Sequence, residues 1–196
     1  MKNILFVFLF LSSTIFAQQY DKKWSKITAL ETEGKIKSAN EVVADIYKNA
    51  KAKKDEEQII KCFFYQSKYM QILEEDAQTK IINNLKSTIN QVSIPSKAIL
   101  NIVYAKCLYA YLSKNKYLIE KRTNLEMVNA DFLTWTSKNF NDQINASLTE
   151  TLQNENLLKN TPLSKYESIF DYTSPEKFKT ENLYNYVINE NIAFYT

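Results

Sequence analysis

The chain predicts an all-α fold, built of antiparallel helix pairs stacked as a solenoid or packed as a bundle. Three observations carry this. One Gly and three Pro among 196 residues leave almost no material for hairpin turns, which sandwiches and barrels must build from Gly or Asn-Gly at each strand connection. Apolar residues recur at helical, not alternating, spacing along most of the chain. A hydrophobic content of 45% suffices for one sizeable core or for an array of helix pairs.

Taken in order, Trp24, Ile27 and Leu30 share a helical face that Gly34 terminates, the C-terminal position only Gly fills cheaply. Ser38 with Glu41 three residues on forms a capping box for a second helix, whose apolar face is Ala39, Val42, Val43, Ile46, Tyr47 and Ala50. Asp55 and Gln58 then cap a helix over Ile59–Leu73, so rich in apolar residues (Ile59, Ile60, Cys62, Phe63, Phe64, Tyr65, Tyr69, Met70, Ile72, Leu73) that neighbours must cover it on several sides. Phe63 and Phe64 are expected in the core.

Ile81, Ile82, Leu85, Ile89 and Val92 trace a fourth helix, paired with its predecessor. Pro95 suits the first turn of a fifth, carrying Ala98, Ile99, Ile102, Val103, Ala105, Leu108, Tyr109 and Leu112. The lysine-diluted stretch from Ser113 to Asn129 reads as a helix end and a loop. Asp131 caps the next helix, with Leu133, Phe140, Ile144, Leu148 and Leu152; Pro162 starts a short one with Tyr166, Ile169 and Phe170; Ser174-Pro175-Glu176 opens another. A last aromatic run holds Leu183, Tyr184, Tyr186, Val187, Ile188 and Ile192. It ends at Thr196 without a polar tail, so it reads as a domain whose continuation is missing, with some of Tyr184, Tyr186 and Tyr195 exposed. Residues 18–114 are thus expected to form helical hairpins, and residues 115–196 further helices completing the same domain and leading into a downstream one.

Residues 1–17 combine one Lys, an apolar run from Ile4 to Leu11 and a small residue, Ala17, before Gln18, the pattern of a cleaved secretory signal. No Cys occupies the first mature position, and no later apolar run is long enough to span a membrane, so a soluble periplasmic or secreted protein is expected. Cys62 and Cys107 leave two states open: one disulfide, or two free thiols acting as small hydrophobes. The cations, 25 Lys and Arg of which one is Arg, are scattered and balanced by 22 Asp and Glu, which speaks for solvated helix faces and against nucleic acid as a partner.

The chain contains no His, which removes His-based triads, His–metal sites and the commonest general base together. Gly34 alone cannot build a phosphate loop. Glu56-Glu57 and Glu74-Glu75-Asp76 lie at expected helix starts, where acids complement the helix dipole. No catalytic, cofactor-binding or metal residue is therefore assigned, no cofactor is expected, and the expected activity is protein–protein interaction by a helical surface, not enzymatic turnover.

Two resemblances add to this. The spacing Gly34, Ile36, Ala39, Val43, Ile46 resembles the second half of a tetratricopeptide repeat, whereas Trp24 and Leu30 fall one position off the first half's usual spacing. The segment Asn182-Leu183-Tyr184-Asn185-Tyr186-Val187-Ile188 through Asn191-Ile192-Ala193-Phe194-Tyr195 resembles the Leu-Tyr-Asp-Phe-Leu type segment that precedes the macroglobulin-type β-domains of large bacterial alpha-2-macroglobulin-like proteins. Asn185 stands in place of the Asp and Val187 in place of the Leu. Tyr20-Asp21-Lys22-Lys23-Trp24 and Tyr69-Met70-Gln71-Ile72-Leu73-Glu74-Glu75-Asp76 are similar to the N-terminal helical region of such proteins. The resemblance implies a helical N-terminal module of an envelope endopeptidase inhibitor, binding its own downstream domains or an envelope protein. Neither Cys62 nor Cys107 is followed by Glu-Gln, so the family's thioester is not implied. The alternatives are a stand-alone periplasmic tetratricopeptide-like adaptor, or a small enzyme using only Asp, Glu and Tyr.

Overall fold

The computed structural model describes residues 20–122, 131–170 and 180–196, and among these every regular element is helical, as the sequence predicts. The secretory signal expected at 1–17 and the helix start expected at Ser174-Pro175-Glu176 lie outside the described residues. Contacts group the chain into two compact units, one ending at Glu75 and one running Asp76–Thr196.

The first unit is three helices: α1 (20–32), α2 (Ile36–Lys53) and α3 (Glu56–Leu73). Gly34 ends α1 with φ +71°, and the turn is closed by Gly34 N–H to Glu31 O (3.0 Å) and Lys35 N–H to Leu30 O (2.8 Å), the paired bonds of a Schellman motif. The same pairing recurs after α2, where Lys54 N–H donates to Lys51 O and Asp55 N–H to Ala50 O, with Lys54 itself left-handed at φ 55°. Because Gly34 reverses the chain so tightly, α2 starts at once: Ala39 N–H already donates to Lys35 O, and no side chain caps the helix. The expected capping box is therefore not formed. Ser38 and Glu41 lie inside the helix, and the half-buried Ile36 packs against the core. Asp55 does cap α3, accepting from Gln58 N–H at 3.2 Å.

These helices enclose Tyr20, Ile27, Ala39, Val43, Ile46, Cys62 and Tyr69, with Trp24, Leu30, Val42, Tyr47 and Tyr65 packed around them. Lys23 meets Asp45 (2.5 Å), which sets α1 against α2, and the Trp24 indole N–H donates to Gln58 Oε1 (2.8 Å), which sets it against α3. Phe63 is in the core, but Phe64 is half-buried and Ile72 and Leu73 are exposed. The last turn of α3 lies beside the Gly34 turn, where Ile72 and Leu73 line an open groove with residues 34–38.

The second unit is organised around α5 (Ile94–Lys114), which Ser93 precedes and which carries Pro95 in its first turn. α4 (Ala77–Ile89) buries Ile81, Ile82, Leu85 and Ile89 and packs against α5. A short α6 (Lys116–Ile119) follows. Asp131 does not cap the next helix as expected. It caps a single 3-10 turn, Phe132–Thr134, by accepting from Leu133 N–H, and α7 (Ser137–Thr151) begins later, under a capping box of Thr136 and Asn139. The displacement has an apolar cause: Phe132 and Trp135 turn inward onto Phe140 and Tyr111, ring centroids 5.1–6.3 Å apart, so the backbone bends before the helix can start. Leu133 is left outside. Asn101 meets Glu150 and Tyr111 stacks on Phe140, so α7 runs antiparallel to α5. A short α8 (Glu155–Lys159) and a 3-10 turn at Leu163–Tyr166 lead on. Pro162 and Asn182 form an isolated antiparallel bridge that delivers the chain to α9 (Leu183–Tyr195), capped by Asn182.

Two substitutions test the turn chemistry. A Cβ at position 34 meets nothing within 4 Å, so Gly34→Ala carries only the left-handed backbone cost, about 1–2 kcal/mol. At the equivalent position Lys54→Gly is expected to be neutral or stabilising by up to about 1 kcal/mol, both read from urea midpoints. Likewise Phe63→Ala is expected to cost about 3–5 kcal/mol and Phe64→Ala clearly less; equal losses would contradict the burial described.

Candidate interaction surface

The acids near helix ends behave as helix-terminal groups. Glu56 and Glu57 sit in the first turn of α3, at the positive end of its dipole. Asp76 stands at the start of α4 and pairs with Lys80 (3.0 Å), but Glu74 closes α3, its N–H donating to Met70 O, so it lies at a helix end and not at the expected start. Among the described residues no group of three or more Cys, Asp and Glu is placed to hold a metal ion.

Cys62 and Cys107 are both free, which resolves the two states the sequence left open. Burial pushes the Cys62 thiol up to about 12 and raises Cys107 as well, so neither is a ready nucleophile. Glu31 ties α1 to α3 through two partners. Its Oε1 accepts from the fully buried Tyr69 hydroxyl (2.7 Å) and from Lys68 Nζ (2.9 Å). Burial raises the Glu31 carboxyl, but the bonds from Tyr69 and Lys68 and the charge of Lys68 outweigh it and leave the group below its ordinary range. Tyr69 is raised, first by burial and then by Glu31.

The surface that stands out lies on α5 and α9. Tyr109 (55% exposed), Phe194 and Tyr195 (65% exposed) form a chain of edge-on rings, with centroids 5.5 and 5.4 Å apart, and Ile192 (58% exposed) stands one turn before Tyr195. The scaffold beneath is polar and specific. Lys106 pairs with Glu190, Asn191 Nδ2 donates to Thr151 Oγ1 (2.9 Å), and the Tyr195 hydroxyl donates to Asn145 Oδ1 (2.8 Å). Of the three C-terminal tyrosines, some of which were expected to be open, Tyr195 is exposed. Tyr184 and Tyr186 are half-buried, the first under Lys159 and the second against Phe170 at 4.8 Å. The sequence reading missed Tyr109 because it sits in a run apolar on nearly every side, where periodicity cannot tell the outward position from the inward ones.

A second exposed apolar feature belongs to the first unit. There Ile72 and Leu73 face the Gly34–Ser38 turn across an open groove of about 420 Å³, with Lys35 and Lys37 at its edge. No helix among the described residues is long and apolar enough to cross a membrane. No protein-family model, curated protein or solved structure matches the chain.

Glu31 has a folded-state pKa below that of the unfolded chain, so its contribution to stability is complete above the ordinary glutamate range and is lost as pH falls through the lowered value. Glu31→Gln is accordingly expected to flatten the acid limb of a urea-midpoint against pH curve. Asp45, held low by its hydrogen bond from Lys23, contributes to the slope that remains.

Proposed function

We propose that this chain is an exported helical interaction module, the N-terminal segment of an alpha-2-macroglobulin-like envelope protein, which braces or binds that protein's own downstream domains. On this reading residues 1–17 are removed at Ala17, the module works in the periplasm or outside the cell, and protease inhibition belongs to the whole protein. The observation that carries the reading is the aromatic surface of Tyr109, Ile192, Phe194 and Tyr195. Large exposed apolar side chains on adjacent helices, beside an ion pair between Lys106 and Glu190, are a usual signature of a protein-binding surface. The resemblance supports it independently, because the segment similar to the one preceding macroglobulin β-domains is α9 itself. A second reading, a free-standing tetratricopeptide-like adaptor, is favoured by the groove beside the Gly34 turn, where Ile72 and Leu73 stand open.

The test replaces Tyr109, Ile192 and Tyr195 together by Ser. All three are more than half exposed, so the variant is expected to keep its helical circular dichroism and nearly its melting temperature, while the self-association expected of the isolated chain through this surface is reduced. Unfolding would assign these side chains to the core of the unit and remove the main physical support. The coding DNA separates the two readings. An in-frame continuation into macroglobulin β-domains favours the first, and a stop followed by an unrelated frame favours the adaptor.

A further inference from the structure

We propose that Gln18, once the leader is removed after Ala17, closes on itself as a pyroglutamyl residue, and that this neutral cap stabilises the start of α1; the inference rests on the export step proposed above. Cleavage at that bond makes Gln18 the first residue. An N-terminal glutamine carries its own electrophile. The unprotonated α-amino nitrogen attacks the side-chain carbon Cδ, the new N–Cδ bond closes a five-membered lactam, and the Cδ–Nε2 bond breaks as ammonia leaves with a proton from the amine. An α-amino group, with an ordinary pKa of about 7.7–8.0, is partly unprotonated at neutral pH, so the nucleophile is present. The step needs no oxidant, reductant or second reactant, and every bond made or broken lies within Gln18.

The fold of the first unit supplies the reason that such a cap matters. Tyr20 is only 8% exposed and belongs to the core of that unit, so the first described residue of α1 is fixed in place. Two residues of chain reach at most about 7 Å, which keeps a terminus at Gln18 close to the start of α1 whatever path the chain takes. A protonated amine there opposes the positive end of the helix dipole. The side chains nearby do not offset it. Asp21 in the first turn is followed by Lys22 and Lys23, and Lys53 Nζ lies 5.6 Å from the Tyr20 ring centre. Of the carboxylates on the neighbouring helices, Asp45 is paired with Lys23, and Asp55 accepts from Gln58 N–H at the start of α3. Lactam closure removes the charge of the amine, as acetylation of a terminus does.

The test expresses the full chain with its own leader in an exporting bacterial host, and holds the purified protein at neutral pH until its mass is constant. Its terminal peptide is expected to begin at Gln18 and to be lighter by one ammonia than the sequence requires. Gln18→Asn keeps the amide but would have to close a four-membered ring, so it is expected to retain its amine and its full mass. The first unit of that variant, followed at the indole signal of Trp24, is expected to melt about 1–3 °C lower at low ionic strength, the gap closing as salt is added. A terminus at Gln18 that keeps its ammonia would overturn the proposal and leave the export step standing. A terminus elsewhere, or a retained leader, would remove the export step and the proposal with it. Equal melting of the two forms would overturn the stabilisation of α1.

Discussion

Burial of α5 is the constraint on which the second unit depends. Pro95, Ala98, Ile99, Leu100, Ile102, Tyr104, Ala105 and Leu108 are all withdrawn from water, so the helix is apolar on nearly every side and cannot persist without cover. Each such Leu or Ile contributes about 1.5–3 kcal/mol when fully buried, and the sum favours any arrangement that surrounds α5. Hydrophobic burial alone does not choose among those arrangements. The buried polar groups do: Ser96 shares a hydrogen bond with Tyr166 (2.9 Å) and Asn101 reaches Glu150 (3.2 Å), each leaving an unmet polar atom if its neighbour slides by a turn. Lys106 with Glu190 and Tyr109 with Phe194 then set α9 parallel to α5, while Asn101 and Tyr111 set α7 antiparallel to it.

The first unit solves the same problem with fewer residues and sharper turns. Three helices joined by two Schellman turns leave almost no connecting chain, and the sole Gly stands at one of them. Lys54 at the other shows that a left-handed terminus does not demand Gly when the following residue, Asp55, is committed to capping the next helix. Glu31 ties the last turn of α1 to α3 in the same economical way, one oxygen serving two donors.

Helix existence was legible because the apolar spacing is strong and Gly and Pro are scarce. Helix starts were less so. At Ser38 and Asp131 a good capping residue lies near a true start, but the Gly34 turn and the inward rings of Phe132 and Trp135 decided the boundary through contacts that a local pattern does not contain. The organising role was read for the helix of Phe63 and Phe64, where aromatics are dense. α5, whose apolar residues are smaller and more evenly spread, buries more positions. The exposed surface was half legible. Some of Tyr184, Tyr186 and Tyr195 were expected to be open; Tyr195 is, whereas Tyr184 and Tyr186 are half-buried against Lys159 and Phe170, partners no periodicity argument names.

The two free thiols have a practical consequence. Cys62 is sealed in the first unit and Cys107 lies largely covered in the second, one in each. The folded chain therefore carries two built-in clocks: a thiol-modifying reagent with mass-spectrometric readout would time the opening of each unit separately, without any label being introduced. Whether the units melt together or one after the other becomes a question about two alkylation rates measured in the same tube.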